Sequence, residues 1–276
     1  MRQRLASSSM LAMALIAWLF DAGPSFAEEK ERRPTNAADT GAGAGVTADT
    51  PKPDATKSSE KSRGSRLTVY VPPSRGAVRA RTGGGTRGGA SAPRIAVLVP
   101  DHVGLTMRAQ PTLAWFLSED TNTPVELSLI ADGAVEPSTV IRLPGPLRAG
   151  IHLVDLAERA ARLEEGTTYD WYVALVVDPK ARDADIVSSG AIQRHAATPE
   201  LVQELAGGEP SYRVLARHGI WYDAIADLSA AIAAAPAPTP AGRELRLERA
   251  ALLEQVGVGA VALYDREGGR APGRAQ

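Results

Sequence analysis

Gln110-Pro111-Thr112-Leu113-Ala114-Trp115 opens, and Gly166-Thr167-Thr168-Tyr169-Asp170-Trp171-Tyr172-Val173 nearly closes, the stretch of residues 110–177 whose reading decides the fold. Leu113, Trp115 and Leu117 alternate with Ala114 and Phe116; Val125, Leu127 and Leu129 alternate with Glu126 and Ser128. Successive side chains on a strand point to opposite faces, so this period of two predicts strands that bury one face. Residues 139–143 and 151–154 are two more short candidates. Residues 168–177 are apolar on both faces beyond Asp170, which suits a central strand in a packed sheet. Pro124, Asp132-Gly133 and Pro144-Gly145-Pro146 punctuate the runs as turns. Residues 94–99 and 186–192 add strands at either end. About seven short strands in about a hundred residues predict an antiparallel β-sandwich.

The pattern Leu163-x-x-Gly166-Thr167-x-Tyr169-x-Trp171-x-Val173 resembles the start of strand F in fibronectin type III and related immunoglobulin-like sandwiches. There a tyrosine hydroxyl turns back to bond the backbone of the corner. Tyr169 holds the matching position. Trp115 and Trp171, on strands of a packed sheet, are expected in the core rather than along a ligand groove.

Outward toward the amino terminus, residues 1–27 read as a signal peptide. Arg2 and Arg4 form a basic start, residues 10–20 a short apolar run, and Ser25-Phe26-Ala27 a cleavage site. The apolar run is shorter than the about 20 residues that cross hydrocarbon, so cleavage near Ala27 is expected rather than an uncleaved anchor. The chain has no cysteine, which excludes disulfides, thiol catalysis and a lipidated cysteine. The localisation that follows is periplasmic or secreted. Residues 28–66 carry almost no large apolar side chain and read as a disordered linker.

Residues 67–93 form a basic Gly/Arg-rich segment. Lys61, Arg63, Arg66, Arg75, Arg79, Arg81, Arg87 and Arg94 are accompanied by no acidic residue between positions 61 and 94. Leu67-Thr68-Val69-Tyr70-Val71-Pro72-Pro73 has the look of an edge strand stopped by prolines. Gly83-Gly84-Gly85-Thr86-Arg87-Gly88-Gly89 lacks the Lys-Ser/Thr that a phosphate-cradling loop requires. The composition is that of a flexible tether. The sharper alternative is a contact for a polyanion, an acidic partner or anionic headgroups, carried by Arg75, Arg79, Arg81 and Arg87.

A sandwich over residues 94–198 is followed by a helical region over residues 199–266 and a disordered tail over residues 267–276. Residues 199–205 start a helix. Gly219-Ile220-Trp221-Tyr222-Asp223-Ala224, with Leu228, Ala231 and Pro236, resembles the second half of a tetratricopeptide repeat. Tyr212 stands where that pattern has glycine and Gly208 where it has tryptophan, which puts the first helix of the hairpin in doubt. Residues 243–256 are a third helix, with Leu245, Leu247, Ala250, Ala251, Leu252, Leu253 and Val256 as its apolar stripe.

Tyr70-Val71-Pro72-Pro73-Ser74-Arg75-Gly76, Pro100-Asp101-His102-Val103-Gly104-Leu105-Thr106, and the two stretches quoted first resemble the bacterial domain-of-unknown-function family 928 (DUF928). The likeness covers residues 67–256. It implies an exported protein of cyanobacterial or proteobacterial type and no particular activity.

No catalytic constellation stands out. His102, His152, His195 and His218 lack helical metal spacing. Ser188-Ser189-Gly190 has no base beside it. Glu164-Glu165 sits in a turn where adjacent carboxylates diverge. Asp178, Asp183 and Asp185 share a loop without the spacing of a calcium hand. The fold class expected is mostly β with α, an antiparallel sandwich followed by a helical hairpin region. Neither a cofactor nor a metal is expected. The function expected is a non-enzymatic, periplasmic protein-interaction module with an envelope protein partner, near-neutral in charge, not binding nucleic acid and not integral to the membrane after cleavage. The alternative is an envelope carbohydrate-binding protein or hydrolase with a site assembled from loops.

Overall fold

The computed structural model of the chain describes residues 67–73, 93–235 and 238–268. The signal peptide, the linker, Arg75, Arg79, Arg81 and Arg87, Pro236 and the tail from residue 269 lie outside the described residues.

Eight strands come first: β1 (Ile95–Val97), β2 (Gly104–Thr106), β3 (Thr112–Leu117), β4 (Val125–Ala131), β5 (Thr139–Leu143), β6 (Gly150–Asp155), β7 (Thr168–Leu175) and β8 (Ile186–Arg194). Five helices follow: α1 (Pro199–Leu205), α2 (Ser211–Arg217), α3 (Trp221–Ala234), α4 (Pro240–Gln255) and α5 (Gly259–Arg266). The strands form a three-stranded sheet in the order β1-β3-β6 and a five-stranded sheet in the order β2-β8-β7-β4-β5. The architecture is thus mixed α/β, two sheets and a carboxy-terminal helical region.

Alternation holds in β4, where Val125, Leu127 and Leu129 are buried and Glu126 and Ser128 only partly so; β3 departs from it and is buried on both faces, Ala114 and Phe116 included. Leu113, Trp115 and Leu117 of β3, Val125, Leu127 and Leu129 of β4, and Tyr169, Trp171, Val173 and Leu175 of β7 are all buried and join one apolar cluster. β7 lies between β4 and β8, the central place its two-sided apolarity predicts. At its start, the Glu164 N–H donates to the Tyr169 hydroxyl at 3.2 Å, the backbone bond expected of that tyrosine.

Two expectations need correction. The strands are not all antiparallel: β2 pairs with β8 in parallel, from Gly104 opposite Ile192 to Thr106 opposite Arg194. A parallel pair needs a long connection, and the five strands between them supply it. A three-residue strand also shows no periodicity, so β2 was invisible to alternation. Residues 67–73 are extended but belong to no strand. Instead they lie against the helices.

The helical region is larger than a hairpin. α2 forms despite Tyr212 at the glycine-like position, because Tyr212, Val214, Leu215 and Ala216 bury together. Thr239 caps α4, its Oγ1 accepting from the Gly242 N–H at 3.2 Å, and Pro240 follows at the first position. That moves the start of the third predicted helix three residues earlier. In α4 the predicted stripe is offset: Leu247 is exposed, whereas Glu248 and Arg249 are buried.

Candidate functional site

Three places concentrate buried polar side chains: the Arg249–Asp265–Ser229 network within the helices, the joint between α3 and the sheets, and a groove between α2 and α4; the last two join different parts of the chain.

The joint is made by three consecutive residues at the start of α3. The Trp221 indole N–H donates to the Leu98 carbonyl at 2.8 Å. The Tyr222 hydroxyl accepts from the Trp171 indole at 2.8 Å and donates to the Ala191 carbonyl at 3.0 Å. The Asp223 carboxylate accepts from the Thr106 hydroxyl at 2.6 Å and from the Met107 N–H at 2.9 Å. The polar tips of three buried aromatics, Trp171, Trp221 and Tyr222, are thereby satisfied. Gly104 leaves room for the Tyr222 ring, which would lie 2.7 Å from a Cβ at that position. Burial pushes the Asp223 carboxyl up, against its two hydrogen bonds and the nearby Arg108 that pull it down. Burial likewise raises the Tyr222 phenol.

The groove holds residues 67–73 as a strap. Thr68 and Tyr70 point inward and are buried; Leu67, Val69 and Val71 point outward, about half exposed. Such alternation is that of a strand, yet the partners are helices. The Gln255 side chain clamps the strap backbone twice, accepting from the Tyr70 N–H at 2.9 Å and donating to the Thr68 carbonyl at 3.0 Å. The Val71 N–H donates to the Ala216 carbonyl at 3.1 Å, an oxygen in the last turn of α2 that also accepts from the Gly219 N–H at 3.1 Å. The Thr68 hydroxyl donates to Glu248, which is also paired with Arg213. The Tyr70 ring meets Trp221 edge-on with centroids 4.8 Å apart, and its hydroxyl is bonded to His102 Nε2 at 2.9 Å. Burial, and then the charge of Asp101, raise the Tyr70 phenol. Gly219 forms the floor: its φ is +75°, and a Cβ there would sit 2.9 Å from the Val71 carbonyl oxygen.

The residues weighed for chemistry are engaged in structure. His102 serves the strap. His152 stacks on Trp115 with centroids 4.5 Å apart, His195 bonds Gln193, and His218 faces Glu204. The Ser188 hydroxyl accepts from the Val97 N–H at 3.1 Å, tying the two sheets. Asp178 and Asp185 accept from the backbone of their own loop, at Lys180 and Val177. Among the described residues no group of three or more histidine or acidic side chains could hold a metal ion. Trp115 and Trp171 are fully buried and line no groove. A cleft of about 300 Å³ lies between the β3–β4 and β5–β6 loops, lined by Asp120, Thr121, Asn122, Pro146, Leu147 and Arg148. The four arginines proposed as a polyanion contact lie outside the described residues, so the structure brings them to none of these places.

Both the joint and the groove escaped sequence reasoning. Their partners are separated by 31 to 187 positions. The one available signal was Gly219-Ile220-Trp221-Tyr222-Asp223-Ala224, a cluster of two large aromatics and an acid at a helix start.

The family model described as Domain of Unknown Function (DUF928) matches residues 82–265. That is more than half of the chain, and the chain belongs to this family. The match runs beyond residue 256 into α5, and it leaves out the strap, which the sequence likeness had counted in. No curated protein matches the chain. Among the described residues no helix is long and apolar enough to cross a membrane.

Proposed function

We propose that this DUF928 chain is an exported, non-enzymatic protein-interaction module, an immunoglobulin- or fibronectin-like sandwich carrying a tetratricopeptide-type helical region. One observation carries the reading: the helices hold an extended polypeptide by its backbone, through the double clamp of Gln255. A groove that grips main chain and pockets alternate side chains is a recurring way of recognising peptides. The strand orders, with β2 beside β8 and β7 between β8 and β4, and the Tyr169 corner support the sandwich part. The α2–α3 pair, turning at Gly219, supports the repeat-like part. Export rests on the basic, apolar and small-residue order of residues 1–27.

The experiment is capture from native envelope with the chain as bait. A stoichiometric protein partner is expected; turnover or retention of an envelope polymer without such a partner would overturn the reading. The second reading, an envelope carbohydrate-binding protein or hydrolase, is favoured by the loop cleft alone. Asp120, Asn122 and Arg148 there offer polar groups of the kind sugar hydroxyls engage. The basic segment is a third element of the proposal. If Arg75, Arg79, Arg81 and Arg87 touch an acidic partner, their replacement by glutamine lowers capture at low salt, and the difference vanishes near 1 M, where the Debye length is about 3 Å.

A further inference from the structure

We infer that the cleft between the β3–β4 and β5–β6 loops binds one neutral sugar ring without cleaving it, an inference that rests on the second reading above, narrows its ligand and is compatible with the first.

The two loops are fixed against each other. Thr121 and Leu147 exchange both backbone bonds, each N–H reaching the other's carbonyl at 2.8 Å. Asp120 ties the far side: its Oδ1 accepts from the Ala149 N–H and its Oδ2 from Arg148 Nη1, both at 2.8 Å. His152 Nε2 donates to the Arg148 carbonyl, also at 2.8 Å. Gly145 passes so close that a Cβ there would lie 2.7 Å from the Asn122 carbonyl oxygen. The space of about 300 Å³ held between the loops is at the small end of ligand sites, the size for a single ring.

Charge and hydrogen-bonding capacity select the ligand. Among the six lining residues Asp120 and Arg148 carry the only charges, and they are paired with each other. An anion entering the cleft meets Asp120 and a cation meets Arg148, so a neutral ligand is favoured. Polar capacity nevertheless remains. Thr121 Oγ1 accepts from the Thr123 N–H at 3.1 Å, which leaves its own hydrogen to give. Among the described residues the Asn122 side-chain amide has no partner, and it offers both donors and an acceptor. Each Asp120 oxygen has accepted one bond and has a lone pair for another. Pro146 and Leu147 add C–H surface. Adjacent hydroxyls, each donor and acceptor, on a ring with C–H faces complement that set. A purely apolar ligand would cover the Asn122 and Thr121 groups and leave them unpaired.

The acids argue for binding rather than cleavage. Glycoside hydrolysis as a rule takes two carboxyl groups, one of which gives a proton. Asp120 is the one acid lining the cleft. The Ala149 N–H, and then the Arg148 guanidinium, hold its carboxyl below its ordinary range, the wrong direction for an acid catalyst.

The test is saturation-transfer NMR of the full chain with glucose, galactose, mannose and N-acetylglucosamine in turn, then with the β-linked trisaccharide of each. Transfer to at least one is expected, with a Kd in the millimolar range for so few contacts. Asn122→Ala removes an exposed amide without a protein partner, so the fold is kept. It should weaken binding about tenfold or more. Arg243→Ala, on the exposed side of α4, should not weaken it. No transfer to any of these sugars, or transfer undiminished by Asn122→Ala, overturns the inference. Should Asn122→Ala not fold, the backbone amide signals of the unmodified chain decide: the sugar should move those of residues 120–122 and 147–149, and movement only elsewhere overturns the inference. A trisaccharide bound tenfold tighter than its monomer assigns the ring to a polymer, and equal affinity assigns it to a free sugar. Release of monomer from a trisaccharide overturns the absence of cleavage. Retention of envelope polysaccharide that survives Asn122→Ala sinks the cleft and leaves the second reading standing. Sugar binding at the cleft by a chain that retains no envelope polysaccharide does the reverse.

Discussion

Across β3 and β7 every buried side chain is aliphatic or aromatic, Leu113, Trp115, Leu117, Trp171 and Val173 among them; across α3, α4 and α5 the buried set also includes Asp223, Ser229, Glu248, Arg249 and Asp265. The sheets close on apolar surface, and the helices add paired charge to theirs. Arg249 shows the second mode. Its Nε and Nη2 donate to the two oxygens of Asp265, each at 2.7 Å, and Nη1 donates to the Ser229 hydroxyl at 2.9 Å. Apolar burial stabilises at about 25 cal/mol per Å² and is indifferent to which neighbour supplies the surface. A buried ion pair is different: desolvation takes back most of its attraction, so it adds little net stability while penalising any arrangement that separates it. The sheets therefore owe their stability to composition, and the helices owe their register to specific partners.

The largest effects test whether that division is real. Trp171→Ala should cost about 3–5 kcal/mol, since a fully buried indole is lost. It also strips Tyr222 of its donor. Urea denaturation measures this, and a cost below about 1 kcal/mol would break the apolar half of the comparison. Asp265→Ala should also cost about 3–5 kcal/mol, by leaving Arg249 buried without its carboxylate. The signature is in the double replacement: Arg249→Met with Asp265→Leu should recover most of that loss. No double replacement recovers Trp171→Ala. Equal damage from the single and double changes would show that the pair stabilises in its own right.

Asp223→Asn sharpens the comparison at the joint, where the two regions meet. Asparagine keeps the shape and one acceptor, so the cost should be about 1–3 kcal/mol at neutral pH. The pH dependence has a definite sign. Burial raises the folded-state value of Asp223 above its unfolded one. Between those two values the folded chain binds more protons than the unfolded chain, so this group makes stability fall as pH rises. The difference in urea midpoint between the parent and Asp223→Asn should therefore shrink toward the upper end of that window. A difference that grows there would show that the hydrogen bonds from Thr106 and Met107, with Arg108, outweigh burial. The smallest effect is Tyr169→Phe, about 0.5–1.5 kcal/mol for one hydrogen bond to the Glu164 N–H, read from the same denaturation curves.

The same division explains what was legible beforehand. Period-two alternation found β3 and β4, and apolarity on both faces found β7, because each residue's fate there depends on its own chain neighbours. β2 has three residues and exists only through β8. α5 went unread because it is eight residues long and begins at glycine. In α4 the adjacent charges Glu248-Arg249 interrupt the apolar stripe and read as a solvated pair, yet that pair is buried. It is buried because Arg213 approaches from α2 and Asp265 from α5. Pairing across 16 and 35 positions leaves no periodic trace. The strap was recognised as extended from its Thr-Val-Tyr-Val-Pro-Pro composition, but its neighbours are helices more than a hundred residues on.

The placement of the joint has a mechanical consequence. Trp221, Tyr222 and Asp223 are consecutive, so with a rise of about 1.5 Å per residue their attachments lie within one helical turn. They grip three separate places, at Leu98, at Trp171 with Ala191, and at Thr106 with Met107. A force that draws the helices from the sheets loads all three together, and none can yield while the others hold. Such an attachment resists like a rivet and fails in one event, with little give before rupture. A protein gripped by its helices and pulled through its amino-terminal sheets would transmit tension rather than absorb it.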